Sequence, residues 1–150
     1  MFKSSLFDEK TFYKAFLKDL DKAREEVYIE SPFITSRRVQ SLRPIFEKLM
    51  SRDVKVYILT RFPDEQDEYM VAQAENEINY FEEIGVQVFL AKCENQKMFH
   101  RKLAIIDRKI LWEGSLNILS QTHSREIMRR ISDEDIVLDT FNFLKLNKVL

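Results

Sequence analysis

The sequence predicts an α/β fold in which a mixed, mainly parallel β-sheet carries helices on both faces. Three observations support it. Short runs rich in β-branched and aromatic residues, at 27–30, 54–60 and 86–90, alternate with stretches whose apolar residues recur at helical spacing. The repeated order strand, helix, strand implies right-handed parallel crossovers, which cover a sheet on both sides. The chain has 150 residues, 45% of them hydrophobic, which is enough for one well-packed domain spanning 1–150 and too short for two comfortable ones. Twelve phenylalanines against two glycines imply a dense core with few tight turns.

Taken in order, residues 8–24 read as an amphipathic helix capped by Asp8, with Phe12, Phe16, Leu20 and Ala23 on one face. Residues 27–30 form a strand that Pro32 ends, because proline cannot extend a ladder. Val39, Leu42, Ile45, Phe46 and Leu49 then mark a helix, and Pro44 leaves two options: a start at Ser41 or a kinked helix starting at Ser36. Residues 54–60 are a central strand and 61–64 a loop, with Asp64 capping a helix over 65–84. That helix turns Tyr69, Ala72, Ile78, Phe81 and Ile84 inward and stops at Gly85 in a left-handed conformation. After the strand at 86–90, a polar loop leads to His100. Beyond Asn117, a loop at 118–125 precedes a short strand at 126–131. Ser132 with Asp135 then opens a C-terminal helix reaching about Asn147.

Net charge is −1 and pI near 6.2, so the chain as a whole lacks the basic signature of a nucleic-acid protein. Charge is nevertheless local. Lys92, Lys97, Arg101, Lys102, Arg108, Lys109, Arg125, Arg129 and Arg130 cluster around the C-terminal third, whereas acids concentrate at 64–83 and 133–135. A single cysteine, Cys93, excludes an intrachain disulfide, and two histidines offer no structural zinc spacing. No membrane-length apolar run or secretory signal is visible, and a reducing, cytoplasmic setting is expected.

The chemistry concentrates in the stretch from His100 to Asn117. His100 and Lys102 stand two apart before the apolar run 103–106, so a strand points both to one face. Ser115 and Asn117 repeat that spacing. A two-residue turn at Arg108 and Lys109 would set Lys102 opposite Ser115 and His100 opposite Asn117. Directly opposed residues share a face, and the hairpin would collect an imidazole, an ammonium, a hydroxyl and a carboxamide, groups suited to hold and attack a phosphate.

The stretch resembles the phospholipase D superfamily signature, H-x-K-x4-D-x6-G-S-x-N, at every specified position, over 18 residues. Weaker similarity extends through 28–34 and 124–131 and is closest to the single-motif nuclease branch and to domains appended to DNA helicases and restriction enzymes. The resemblance implies a phospholipase D-like fold and a phosphodiesterase that needs no metal or cofactor. His100 would attack phosphorus and form a phosphohistidine, with Lys102 and Asn117 binding the non-bridging oxygens and Ser115 supporting them. Arg101 joins Lys102, Ser115 and Asn117 as a candidate for substrate binding. Glu126 resembles the acid that orients the imidazole; Glu30 is a weaker candidate for the site rim. Asp107 and Gly114 are expected to be structural, Asp107 by bonding backbone groups or basic neighbours at the turn.

A second histidine is needed to protonate the leaving group. His123, in a polar loop, reads as an exposed bystander. Single-motif members pair two copies about a twofold axis, so the resemblance implies a homodimer in which His100 of each copy meets the other. The expected substrate is nucleic acid, with DNA preferred. Two other readings stand beside it: a phospholipid phosphodiesterase, and a weakly active nucleic-acid-binding module of a larger helicase or restriction protein.

Overall fold

The computed structural model describes residues 3–65 and 67–150. Among them, seven strands form one sheet in the order β1-β7-β6-β5-β2-β3-β4. The strands are β1 (Ser4–Asp8), β2 (Glu26–Glu30), β3 (Lys55–Arg61), β4 (Gln87–Ala91), β5 (Leu103–Ile106), β6 (Ile110–Gly114) and β7 (Ile127–Ile131); the helices are α1 (Phe12–Asp21), α2 (Ser36–Ser51), α3 (Glu68–Glu83) and α4 (Glu134–Phe143).

The mixed sheet agrees with expectation, but its balance is different. Only β2·β3 and β3·β4 are parallel; β2·β5, β5·β6, β6·β7 and β1·β7 are antiparallel. The parallel part arises where helices supply crossovers. From β5 onward the chain has no intervening helix long enough to return it, so it reverses by turns.

Alternation along each strand divides the core in two. Val27, Ile29, Val56, Ile58, Ala104, Ile106 and Trp112 pack beneath Phe12, Phe16 and Leu20 of α1, Val39, Leu42, Phe46 and Leu49 of α2, and Ala74, Ile78 and Phe81 of α3. Tyr28, Tyr57, Leu103, Ile105, Leu111 and Ile131 face the other way, under Val137 and Phe141 of α4. Trp112 is fully buried; its indole N–H donates to Asp19 at 2.8 Å, and Asp19 also takes two bonds from Arg130 at 2.8 and 2.9 Å. A buried ring with a polar edge thus has its partner, and α1 is tied to the sheet.

Several boundaries differ from the sequence reading. Residues 4–8 form an edge strand, so α1 begins at Phe12; the Asp8 carboxylate instead accepts from the Lys10 and Thr11 amides at 2.9 and 3.0 Å, holding the turn between β1 and α1. Helix α2 starts at Ser36 and runs through Pro44. Asp67, not Asp64, caps α3, and Asp64 lies in a 3-10 turn at Pro63–Glu65; residue 66 of the expected helix falls outside the described residues. Tyr69 is 76% exposed and Ala72 is exposed, while Glu77 is fully buried, taking bonds from Arg43 at 3.0 Å and Asn76 at 2.9 Å. Gly85 does adopt a positive φ of 101°. Asp133, rather than Ser132, caps α4, which ends at Phe143 before a 3-10 turn at Leu146–Lys148.

Candidate active site

Parallel strands β2 and β3 end at Glu30 and Arg61. The antiparallel neighbours bring the start of β5, the end of β6 and the start of β7 to that same end of the sheet. Strand β2, with a parallel neighbour on one side and an antiparallel one on the other, marks a change of direction where α/β sheets commonly bind ligands. The motif residues lie just beyond the ladder here: 100–102 precede β5, and 115–117 follow β6.

The hairpin forms one residue out of the expected register. Leu103 pairs with Glu113 and Ile106 with Ile110, and the amide of Gly114 reaches the Lys102 carbonyl at 3.4 Å. The connection therefore has three residues, with Asp107 and Arg108 at φ values of 53° and 56°. Asp107 explains the extra residue: its carboxylate accepts from the amides of Arg24, Glu25 and Glu26 at 2.9, 2.8 and 3.0 Å, and its own amide donates to the Glu26 carbonyl at 2.8 Å. This clamp sits at the far end of the sheet from His100. Lys102 and Ser115, and likewise His100 and Asn117, are consequently not opposed pairs.

His100 and Lys102 do meet. The Lys102 ammonium lies 3.0 Å from Nδ1 and 3.4 Å from Nε2 of the exposed imidazole, and it donates to the His100 carbonyl at 2.8 Å. The charge of Lys102, followed by partial burial and the charge of Arg61, holds His100 below the usual imidazole pKa of 6.5. Burial lowers the pKa of Lys102 as well; Glu126 opposes that shift and Arg61 adds to it. The arrangement favours a neutral ring facing a cation.

Glu126 makes no hydrogen bond to His100. Its carboxylate accepts from Ser115 at 2.8 Å and from Ser124 at 2.9 Å. The Ser115 hydroxyl also accepts from the Ile127 amide at 3.0 Å, and the Ser115 amide donates to the Ile127 carbonyl at 2.9 Å. The proton and one of the two lone pairs of this hydroxyl are engaged, so Ser115 serves β7 and Glu126. Gly114 makes this contact possible, because a Cβ there would stand 2.1 Å from the Ile127 carbonyl oxygen.

Asn117 sits in a turn closed by the Ser120 amide on its carbonyl at 3.1 Å, and its side-chain Oδ1 is buried without a hydrogen-bond partner. Residues of the β2–α2 loop hold this turn. Ser31 Oγ accepts from the Leu119 amide at 3.1 Å, Thr35 donates its amide to the Leu119 carbonyl at 3.0 Å, and Thr35 Oγ1 accepts from Gln121 at 2.8 Å. Tyr13 adds a bond to the Ile118 carbonyl at 2.7 Å. His123 is exposed in the loop that follows.

Arg101 turns away from Lys102. It forms a two-point ion pair with the fully buried Glu30, at 2.7 and 3.1 Å, and Tyr28 donates to the same carboxylate at 2.6 Å. Glu30 thus anchors the segment before β5 that carries Arg101, rather than lining a rim. Burial and the Glu30 charge raise the Tyr28 pKa, keeping its hydroxyl a donor. Sequence reasoning had not selected Ser31, Thr35, Ser124 or Arg61; the last was a cation at the end of an apolar strand, a signal that was present.

Solved structures share this fold. NucT from Helicobacter pylori superposes with a TM-score of 0.73 at 23% identity, covering 97% of this chain and 94% of that one. Nuc from Salmonella typhimurium, a phospholipase D family member, gives 0.72 at 17% identity with coverage of 95% and 92%. The archaeal chromatin protein TrmBL2, described with a mode of DNA binding, gives 0.63 at 18% identity, with 98% of this chain and 52% of that one covered. No curated protein matches the chain in sequence. Residues 16–143 match the family described as "Cardiolipin synthase, PLD-like domain". With the match spanning most of its length and the signature lying inside it, the chain belongs to this phospholipase D-like family.

Proposed function

We propose that the protein is a metal-independent phosphodiesterase that cleaves nucleic acid, with DNA as the preferred substrate, through a phosphohistidine formed on His100. The observation that carries this reading is the Lys102 ammonium set against the ring of His100, which lowers the proton affinity of the imidazole. A phosphodiester oxygen drawing Lys102 off the ring would leave a ring nitrogen free to attack. The P–N bond then forms as the P–O bond to the leaving group breaks. The negative charge of the bound phosphodiester offsets Lys102 and lets one of the two facing His100 rings hold a proton, and that ring, in the second copy, gives it to the departing oxygen. Water next attacks phosphorus, the P–N bond breaks, and the proton from water returns to that second imidazole.

The exposure of His100 and the exposed position of His123 support a donor from a second copy over one within the chain. Asn117 offers its carboxamide to a non-bridging oxygen, while Ser115 and Glu126 position each other next to Lys102. Fold similarity to a DNA-binding chromatin protein favours nucleic acid. The family's description names a lipid synthase and favours a phosphatidyl substrate as the second reading.

The test is cleavage in EDTA of plasmid DNA and of phosphatidylcholine vesicles by wild type and His100→Ala. Plasmid cleavage lost in His100→Ala, with salt-sensitive DNA binding retained, supports the nuclease reading. Turnover on vesicles alone supports the lipid reading. Wild type and variant that bind DNA alike and cleave neither would identify a binding module.

A further inference from the structure

Arg61 closes β3 at the same end of the sheet as His100 and Lys102, and it is the only arginine among the buried polar residues described, at 7% exposure. One terminal nitrogen donates to the Phe99 carbonyl at 3.0 Å, the guanidinium carbon lies 4.5 Å from the centre of the Phe33 ring, and the buried Nε has no partner. No carboxylate pairs with it among the described residues. Elsewhere Arg43, Arg101 and Arg130 pair with Glu77, Glu30 and Asp19, while the half-buried Arg38, whose Nε also lacks a partner, lies over the Tyr13 ring and is less deeply buried than Arg61. Withdrawing an unmatched cation from water is costly, a penalty that folds tolerate where an anion comes and goes.

The surroundings of Arg61 tie it to the His100 end of the sheet. Its bond to Phe99 fixes the backbone immediately before His100, in a segment that makes no ladder of its own. Its charge also reaches both His100 and Lys102, lowering the proton affinity of each.

We propose that Arg61 is a binding residue of the phosphate site: the fixed cation, seated behind the 99–102 segment, whose charge is balanced when a phosphate binds beside Lys102. The proposal rests on the functional reading above in taking phosphate as the ligand. A purely structural Arg61 would need only a donor for the Phe99 carbonyl, and its charge would not matter.

Inorganic phosphate titrated into the labelled protein, followed at the His100 ring by NMR, separates these roles. Arg61→Lys keeps donor and charge, Arg61→Gln keeps a donor without charge, and Arg61→Met keeps neither. We expect Arg61→Gln and Arg61→Met to bind phosphate roughly 10–100-fold more weakly, the loss of one charge-assisted contact, and Arg61→Lys to stay within a few-fold of wild type. If Arg61→Met does not fold, the comparison of Gln with Lys decides. Arg61→Gln binding like wild type overturns the proposal, as does loss of fold in all three variants. Lys102→Met serves as the reference: phosphate binding lost there but kept in Arg61→Gln refutes Arg61 alone. A wild-type site that never responds to phosphate refutes the functional reading together with this one.

Discussion

Gly114→Ala is the substitution whose cost follows most directly from the coordinates. The added methyl would stand 2.1 Å from the Ile127 carbonyl oxygen, 2.8 Å from Met128 Sδ and 2.9 Å from Met128 Cα, and two of these three atoms belong to backbone. Relief requires β6 and β7 to part by roughly 1 Å, an overpacking that costs about 1–3 kcal/mol. The same movement stretches the two bonds between Ser115 and Ile127, at 2.9 and 3.0 Å, each contributing about 0.5–1.5 kcal/mol. Together these predict a loss of about 3 kcal/mol by urea denaturation, a large part of the ~5–15 kcal/mol that holds a domain of this size. Gly85→Ala is the control. Its φ of 101° strains any side chain, but the nearest atom is the flexible tip of Met50 at 3.2 Å, so the backbone term of about 1–2 kcal/mol should dominate. The two variants should also differ in function. Gly114→Ala displaces Ser115 and Glu126 and should impair turnover in protein that remains folded, whereas Gly85→Ala should not. A Gly114→Ala protein within ~0.5 kcal/mol of wild type, or more stable than Gly85→Ala, would refute the argument.

Asp107→Ala should cost about 2–4 kcal/mol in urea denaturation, because three backbone donors lose a charged acceptor and alanine must hold a positive φ; phosphate binding at the distant site should survive wherever the variant is folded. Lys102→Met should move the His100 titration upward towards that of an ordinary imidazole in an NMR pH series. The sign follows from a cation that now disfavours the protonated ring, and an unchanged or lower value would contradict it. Asp19→Ala should destabilise the fold by about 2–4 kcal/mol in the same denaturation assay, since the Trp112 indole and the Arg130 guanidinium would both lose their partner. A loss under ~0.5 kcal/mol would show that the α1–sheet tie is dispensable.

The elements with apolar periodicity were legible in the sequence, and so was the motif. What escaped were features set by partners far along the chain. Strand β1 carries only Leu6 and Phe7 as apolar residues and is ordered by pairing with β7, more than a hundred positions away. The hairpin register shifted by one because Asp107 and Arg108 take positive φ values, a conformation stabilised by the amides of residues 24–26, which no local turn signal announces. The inward face of α3 was misjudged for a related reason. Glu77 can occupy a core position only because Arg43 and Asn76 meet it, while Tyr69 lies in the first turn and points to solvent.

The site shows the same division. His100 and Lys102 could be paired from their spacing, since two residues in extended backbone share a side whatever the register. The contact between Ser115 and Glu126, and the hold of Ser31 and Thr35 on the turn bearing Asn117, depend on how separate segments converge. Arg101 shows the limit of reading charge alone: it follows His100 directly, yet alternation sends it to the other side and to Glu30.

The covalent intermediate gives the most direct measurement. Wild-type protein mixed with a 32P-labelled oligonucleotide, quenched in base and digested, should yield a peptide carrying acid-labile phosphate on His100, absent from His100→Ala. Cleavage that proceeds at full rate with no label on His100, or with label on another residue, would contradict the account.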